Sequence, residues 1–138
     1  MKSKTFFIYA DGGSRGNPGP AGIGAVILDA KKKKVKEVFK YIGEQTNNNA
    51  EYNALIAGLE EIRSLGGDEV IVNLDSELVV KQLNGEYRVK NREIKPLFEE
   101  AIGALKKFRS FEIRRIDRSE NKEADKLVNK AINLSSLF

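Results

Sequence analysis

The sequence contains no cysteine and no histidine. These absences exclude thiol catalysis, histidine-based catalytic triads and zinc sites, since each of them depends on one of the two side chains. Long hydrophobic runs are also missing. The first run, residues 6–10, is short and is followed at once by an acid, and no later stretch is long enough to span a bilayer. That run is too short for a signal segment or a membrane span, so the sequence predicts a cytoplasmic protein without membrane contact.

The rest of the composition is typical of a soluble globular protein, with 41% hydrophobic and 32% charged residues. A length of 138 residues suits one domain, and we expect a single catalytic domain over residues 1–138. The net charge of +4 is modest and by itself only permits a polyanionic partner. The lysines at 31–34 are expected to form a solvated turn.

The order of apolar segments predicts the element order βββαβααβα. Apolar runs at 6–10, 23–28 and 70–74, and mixed segments at 35–42 and 111–116, predict strands. Helical spacing of apolar residues at 51–65, 78–83, 94–108 and 124–134 predicts helices. A strand meander followed by alternating strands and helices indicates an α/β fold, a mixed sheet with helices on both faces.

Four acids lie in four separate segments: Asp11, Glu51, Asp75 and Asp125. Asp11 and Asp75 each follow a predicted strand, and ligands of open α/β sheets bind at the carboxyl ends of strands. Glu51 and Asp125 lie on or beside the apolar faces of two predicted helices, so they are expected to point inward. Four acids in one place repel each other unless a cation compensates their charge, and hard divalent cations prefer carboxylate ligands. The set predicts a metal site for phosphoryl-transfer chemistry.

Each acid alone also has a purely structural explanation. Asp11 and Asp75 can be turn-forming residues after a strand. Glu51 and Asp125 can complement the dipole at the start of a helix. The joint pattern of all four residues, rather than any single one, favours the metal site.

The segments that carry these acids are DGGSRGNPGPAG, TNNNAEYNALIAGLE, DSELVVKQLNGEYRVKN and ENKEADKLVN. In this order and at these separations they resemble type 1 ribonuclease H, and the resemblance covers residues 5–129. It implies a ribonuclease H-like fold with a five-stranded mixed sheet. It also implies an endonuclease that hydrolyses the RNA strand of RNA–DNA hybrids and leaves 5′-phosphate and 3′-hydroxyl ends.

The resemblance assigns the four acids to a centre with two Mg²⁺ ions, or Mn²⁺, when substrate is bound. It implies that Asp11 contacts both ions and that Asp125 helps to hold the ion that activates the attacking water. Glu51 and Asp75 would hold the ion that faces the leaving 3′ oxygen.

Substrate contacts are expected from a further set of residues around the acids. They are Gly12, Gly13, Asn17, Thr46, Asn47, Asn48, Arg88, Lys90 and Arg115. The glycines let a nucleic-acid strand approach the backbone, and the amides can bond ribose and base edges. Thr46 and Asn47 resemble positions that contact phosphate of the DNA strand, although helix capping is an alternative role for this segment.

The sequence departs from familiar members of the family in two places. Many members carry a histidine in the loop before the last acid, where we expect Arg115 here; an arginine binds phosphate but cannot shuttle protons near neutral pH. Some members insert a lysine-rich helical protrusion before the long helix, whereas this chain has only GEYRVKNREIKP. Binding is therefore expected to be weaker and salt-sensitive, and to depend on Arg88, Lys90 and Arg92.

Two alternatives remain open. The missing histidine is compatible with a non-catalytic or weakly active binder of hybrids or double-stranded RNA, although a pure binder has no use for four acids beside a polyanion. The same groove could also accept double-stranded RNA as a substrate. A kinase is disfavoured because GGSRGNPGP lacks the GK[ST] ending of a phosphate-binding loop. A monomer is expected in each case.

Overall fold

The computed structural model describes residues 4–137. Over these residues the order of strands and α-helices, βββαβααβα, confirms the prediction. The strands are β1 (Thr5–Ser14), β2 (Gly19–Leu28), β3 (Lys34–Gln45), β4 (Glu69–Leu74) and β5 (Ser110–Arg115). The helices are α1 (Asn47–Ser64), α2 (Glu77–Leu83), α3 (Ile94–Lys106) and α4 (Lys122–Ser135), with one 3-10 turn at Arg118–Glu120. None of the helices within residues 4–137 combines the length and the hydrophobicity that crossing a membrane requires.

The five strands form one mixed sheet in the order β3-β2-β1-β4-β5. β2 is antiparallel to β1 and β3, whereas β4 is parallel to β1 and β5. The pairing of β1 with β4 ends with Tyr9 opposite Asn73. The carboxyl ends of these two parallel strands therefore lie side by side, which brings Asp11 and Asp75 to the same edge of the sheet.

The helices cover both faces of the sheet, because neighbouring residues of a strand point to opposite sides. Ala25 of β2 faces α1 and lies beside Gly58, whereas the preceding residue, Gly24, faces α4 beneath Ala124. The larger core lies on the α1 side. Its fully buried members include Ile8, Leu55, Leu59, Val72 and Leu105.

β1 is longer than the sequence predicts, since it continues through Asp11 to Ser14 instead of ending at residue 10. The antiparallel pairing with β2 persists there, with Asp11 opposite Gly24. Gly12 does not open a loop; a Cβ at this position would lie 2.2 Å from the carbonyl carbon of Ala50 in α1. The close approach of strand and helix therefore explains this glycine.

α1 begins at Asn47, four residues before its predicted start. Thr46 is the N-cap, and its hydroxyl accepts a hydrogen bond from the backbone N–H of Asn49 at 3.2 Å. The polar segment TNNN thus starts the helix instead of preceding it. Glu51 consequently lies in the second turn. Complementing the helix dipole, an effect of the first turn, therefore does not explain why an acid stands at this position.

Candidate active site

Four elements bring the predicted acids to one edge of the sheet. Asp11 lies in β1 and Asp75 directly follows β4, while Glu51 lies in α1 and Asp125 in the first turn of α4. All four residues are half-buried and line one cavity of about 310 Å³. We call these four acids and their cavity the acidic basin.

Two glycines of β2 set the distance between α4 and the sheet. A Cβ at Gly24 would lie 2.4 Å from the carbonyl oxygen of Ala124, and a Cβ at Gly22 would lie 2.9 Å from that of Val128. Both distances are shorter than van der Waals contact, so a larger residue would force the helix outward. Asp125 lies between these two contacts along α4 and would move with the helix.

The Asp11 carboxyl is strongly perturbed by its surroundings. Its pKa rises from 3.8 to about 8, chiefly because the side chain is buried. The negative charges of Asp75, Asp125 and Glu51 raise the pKa further, as does a hydrogen bond with the side chain of Asp125. Asp11 is therefore mostly protonated at pH 7 unless a positive charge enters the basin.

Glu51 has a buried oxygen that lacks a partner. Burial raises its pKa to about 7; a hydrogen bond with Ser76 and the charge of Arg118 lower it, while the charge of Asp75 raises it. No hydrogen-bond donor within residues 4–137 reaches its Oε2 atom, which is buried. A buried carboxylate oxygen in this state is costly unless a cation or water supplies the missing interaction.

The donor set fits a hard divalent cation in its chemistry, since it consists of carboxylate oxygens and Glu51 keeps one oxygen without a donor. In the part of the chain that the structure describes, no three acidic side chains surround one point as a finished ligand cage would. Mg²⁺ commonly binds through one or two carboxylates and takes its other ligands from water and substrate phosphates. The acidic basin is therefore an open site, one that a substrate would complete.

Asn121 contacts the acidic basin from the protein interior, although no sequence pattern points to it. Its Nδ2 atom donates to the carbonyl oxygen of Ala10 and to Oδ2 of Asp75, both at 2.9 Å. Its backbone carbonyl accepts a hydrogen bond from the N–H of Asp125 at 3.1 Å. The only available signal is its position directly before α4, four residues ahead of the last acid.

The loop between β1 and β2 is fastened to the start of α1 by two asparagines. Oδ1 of Asn47 accepts hydrogen bonds from the backbone N–H and the hydroxyl of Ser14 at 2.9 and 3.1 Å. The backbone N–H of Asn47 donates to Oδ1 of Asn17 at 3.0 Å. These bonds fix the glycine-rich backbone at Gly12 and Gly13, both of which line the basin.

A second cavity, of about 340 Å³, opens at the start of α1. Its lining consists of Asn17, Thr46, Asn47, Asn48, Asn49, Asn91, Glu93 and Ile94. Four of the residues predicted to contact substrate thus share one surface, although Thr46 also has the capping role that the alternative interpretation gave it. The sequence does not predict Asn91, whose Oδ1 accepts hydrogen bonds from the N–H groups of Glu93 and Ile94.

Comparison with known proteins identifies the family. A family model described as reverse transcriptase-like matches residues 9–131. The crystal structure of RNase H1 from the halophilic archaeon Halobacterium salinarum has a TM-score of 0.91 and 39% identity, covering 94% of this chain and 98% of that one. The chain belongs to the type 1 ribonuclease H family. LC11-RNase H1, whose crystal structure is a complex with an RNA/DNA hybrid, is similar to this ribonuclease H family member with a TM-score of 0.89 and 45% identity, again over 94% and 98% of the chains.

The similarity to longer proteins of the ribonuclease H group is partial. A bifunctional protein of Mycobacterium tuberculosis is 44% identical over 130 residues, which make up 94% of this chain and 36% of the relative. The chain therefore spans about a third of the length of this curated relative.

In this ribonuclease H family member, Arg118 rather than Arg115 lines the basin. This corrects the expectation that Arg115 occupies the loop before the last acid. β5 extends through Arg115, which is exposed and pairs in register with Leu74, so the chain turns toward the acids only afterwards, at the 3-10 turn. The charge of Arg118 acts on Glu51, whereas that of Arg115 acts on Glu77.

A second arginine that the sequence does not predict also lines the basin. The guanidinium of Arg15 donates to Oδ1 of Asn129 in α4 at 3.3 Å. The amide of Asn129 donates in turn to the carbonyl oxygen of Asp125 at 3.1 Å. Arg15 is thereby tied to the helix that carries the last acid.

The basic residues Arg88, Lys90 and Arg92 lie in the exposed segment between α2 and α3. This segment is irregular, as the sequence predicts. None of the three is among the residues that line the basin over the described range 4–137. Their contact with substrate stays a prediction.

Proposed function

We propose that this chain is an endonuclease that hydrolyses the RNA strand of RNA–DNA hybrids and leaves 5′-phosphate and 3′-hydroxyl ends. The acidic basin is the observation that carries the proposal, because four carboxylates from four separate segments gather there around the half-buried Asp11. Such a cluster costs free energy in the cation-free protein. Strong perturbation of acids in a cleft favours a functional role over a structural one.

The proposed cofactor is Mg²⁺, or Mn²⁺, with two ions at the basin when substrate is bound. Asp11, Glu51, Asp75 and Asp125 would hold these ions, which would lower the pKa of the attacking water and compensate charge on the phosphate oxygens. The buried Oε2 of Glu51 supports the assignment, since it finds no donor anywhere in residues 4–137.

The side chains of the basin also control protons. Asp11 holds a proton near neutral pH because its pKa is raised to about 8, and that proton must leave before the carboxylate can act as a ligand. Arg118 lowers the pKa of Glu51 and so keeps this carboxylate ionised at a lower pH than burial alone would allow. Arg15 and Arg118 line the basin, where guanidinium groups can bind two phosphate oxygens at once.

Recognition of the hybrid is proposed to depend on duplex shape and on the 2′-hydroxyl, which distinguishes RNA from DNA. Gly12 and Gly13 line the basin, and their backbone is proposed to contact the RNA strand beside the acids; Gly13 leaves room for this approach, whereas the missing side chain of Gly12 faces α1. The cavity that contains Thr46 and Asn48 is proposed to receive a phosphate of the DNA strand, and the basic segment 88–92 to contact the backbone beyond it. The hybrid bound by LC11-RNase H1 supports this substrate class.

Three labelled duplexes of one sequence, RNA–DNA, RNA–RNA and DNA–DNA, test the proposal when each is incubated with the chain and Mg²⁺ or Mn²⁺. We expect cuts in the RNA strand of the hybrid, and end-group analysis should find 5′-phosphates. Cutting of DNA–DNA as well would refute strand selectivity. Binding of the hybrid without cutting would favour the non-catalytic alternative, and cutting of RNA–RNA would identify a relaxed nuclease.

We further propose that the chain acts as one catalytic domain, residues 1–138, as a monomer and in the cytoplasm. Sedimentation equilibrium over a hundredfold range of concentration should give the mass of one chain, 15.4 kDa. A concentration-dependent mass would contradict the monomer.

A further inference from the structure

We infer that Asn121 is a positioning residue: its side-chain amide fixes the Asp75 carboxylate against the end of β1 and so assembles the acidic basin before a cation binds. The inference rests on the proposed function, because it concerns the same basin. Asn121 itself is expected to touch neither substrate nor cation.

The geometry of the amide supports this role. Both hydrogens of Nδ2 are used, one on the carbonyl oxygen of Ala10 and one on Oδ2 of Asp75, each at 2.9 Å. The Ala10 carbonyl lies just beyond the point at which the pairing of β1 with β4 ends. Asn121 therefore continues the connection between the two strands where their own hydrogen bonds stop, and it ties the backbone beside Asp11 to the Asp75 side chain.

The backbone of Asn121 adds a third connection. Its carbonyl oxygen accepts the N–H of Asp125 at 3.1 Å, which places this acid one helical turn further along α4. One residue thus contacts the segments that carry three of the four acids. A change in its position would alter the spacing of Asp11, Asp75 and Asp125 together.

Packing alone does not explain an asparagine here. Asn121 is only 1% exposed, and within residues 4–137 its Oδ1 atom is buried without a hydrogen-bond partner. A buried polar atom in that state costs free energy, so leucine, which has a similar shape, would fill the space better. An aspartate would offer only acceptors to the Ala10 carbonyl and to Asp75. The two donated hydrogen bonds are what require the amide.

Mn²⁺ binding to the full chain, measured by calorimetry without nucleic acid, tests the inference in Asn121→Ala. Asn73→Ala is the matched control, since Asn73 is also buried and its amide donates to a β1 carbonyl, that of Ile8, at 3.2 Å, without bonding to an acid of the basin. Both variants should lose stability. Only Asn121→Ala should also lose Mn²⁺ affinity, by about 10-fold, as is usual when the partner of a metal-binding carboxylate is removed. Equal Mn²⁺ affinities in the two variants would overturn the inference.

A second measurement uses the unmodified chain, because Asn121→Ala could fail to fold. In the ¹⁵N–¹H spectrum, the side-chain amide protons of Asn121 should exchange slowly with solvent and should shift when Mg²⁺ is added. Fast exchange, or a signal that does not respond to Mg²⁺, would contradict the role.

Hybrid cleavage by the unmodified chain separates this inference from the proposed function. If the chain does not cut hybrids but the two variants still differ in Mn²⁺ affinity, the nuclease proposal fails and the role of Asn121 stands. If the chain cuts hybrids and the variants bind Mn²⁺ alike, the inference about Asn121 fails alone.

Discussion

The surroundings of Asp11 favour its protonated form, whereas its proposed role as a metal ligand requires the ionised form. A ligand of a divalent cation must be ionised, yet burial and three neighbouring acids raise the pKa of Asp11 to about 8. Cation binding and proton release at this residue are therefore coupled, and affinity for the cation should increase with pH through this range.

Replacing Asp11 by Asn should reduce the rate of hybrid cleavage about 1000-fold or more, because the amide cannot replace the carboxylate as a ligand of both ions. The fold should persist, since a neutral side chain suits the buried position. Gel assays of labelled hybrid in Mg²⁺, with circular dichroism as a control for folding, measure both effects. Substantial Mg²⁺-dependent cleavage by this variant would remove Asp11 from the centre of the site.

Replacing Arg118 by Ala should move the acidic limb of the pH–rate profile to higher pH. The charge of Arg118 lowers the pKa of Glu51, so its removal leaves this carboxylate protonated over a wider range. The loss of kcat/KM should be larger at pH 6 than at pH 9, and it should be clearest at low salt.

Two variants serve as controls for this prediction. Arg118→Lys keeps the charge and should keep the profile, and Arg115→Ala removes an exposed arginine that does not line the basin. Identical profiles for Arg115→Ala and Arg118→Ala would show that Arg118 has no special effect on the acids.

The residues of the site were predictable to different degrees for physical reasons. The four acids stand next to apolar runs, where an ionisable group is unexpected and therefore noticeable, and the structure places them around one cavity. Their catalytic roles stay predictions. Asn121 and Arg118 stand in the polar stretch DRSEN, which looks like any solvent-exposed turn, and only the three-dimensional structure separates the buried Asn121 from its exposed neighbours.

At the scale of elements, the apolar patterns predict the described strands and α-helices in the right order, but several boundaries differ, most clearly the end of β1 and the starts of β2 and α1. Strands are predicted from the alternation of apolar and polar side chains, and the end of β1 is missed because it continues through glycines, which have no side chain. The start of α1 is polar, so its first turn lacks the apolar spacing that identifies a helix. For β1 the missing information is its pairing with β2 and its contact with α1, which the local sequence does not contain. For α1 the signal is local, since the Thr46 cap lies in the polar segment itself.

The contact between β1 and α1 gives a prediction about stability. Gly12→Ala should destabilise the protein by about 3 kcal/mol, since its Cβ would lie 2.2 Å from the Ala50 backbone and neither element can yield easily. Gly103→Ala in α3 is the matched control: nothing lies near its Cβ, so the helix should gain about 1 kcal/mol. Urea denaturation measures both, and a Gly12→Ala variant as stable as the parent would disprove the close contact.

The irregular segment between α2 and α3 should control salt-dependent binding. Neutralising Arg88, Lys90 and Arg92 together to Gln should weaken hybrid binding at low salt and reduce the slope of log K against log salt by about 2–3, roughly one for each lost phosphate contact. Fluorescence anisotropy with catalytically inactive Asp11→Asn protein measures this slope. The charge-matched control neutralises three lysines of the solvated turn, Lys31, Lys32 and Lys33, and should leave the slope unchanged; equal effects of the two triple variants would show that net charge alone determines binding.

At the scale of the whole molecule, the acidic basin makes stability depend on pH. The folded chain holds protons on Asp11 up to about pH 8 and on Glu51 up to about pH 7, whereas the unfolded chain releases them near 3.8 and 4.5. Between these values the folded state binds more protons at these two groups, so their contribution to stability falls as pH rises from about 4 toward 8.

We therefore expect the metal-free protein to lose on the order of 6 kcal/mol of unfolding free energy between pH 5 and pH 8. Asp11→Asn should flatten this dependence, and millimolar Mg²⁺ should restore stability at pH 8, because a ligand that binds only the folded state stabilises it. Thermal melts over this pH range, with and without EDTA, provide the measurement. Stability that rises with pH in the absence of divalent ions would contradict the raised pKa values.

The contact of α4 with Gly22 and Gly24 limits the amino acids that these two positions tolerate. Any amino-acid substitution at either glycine adds a side chain beneath the helix and should displace Asp125, although neither glycine has a reactive group. A mutational scan scored on cleavage would therefore rank these two positions with the acids themselves. The spacing between a strand and a helix would then be as important for the proposed cleavage as the charge of the acids.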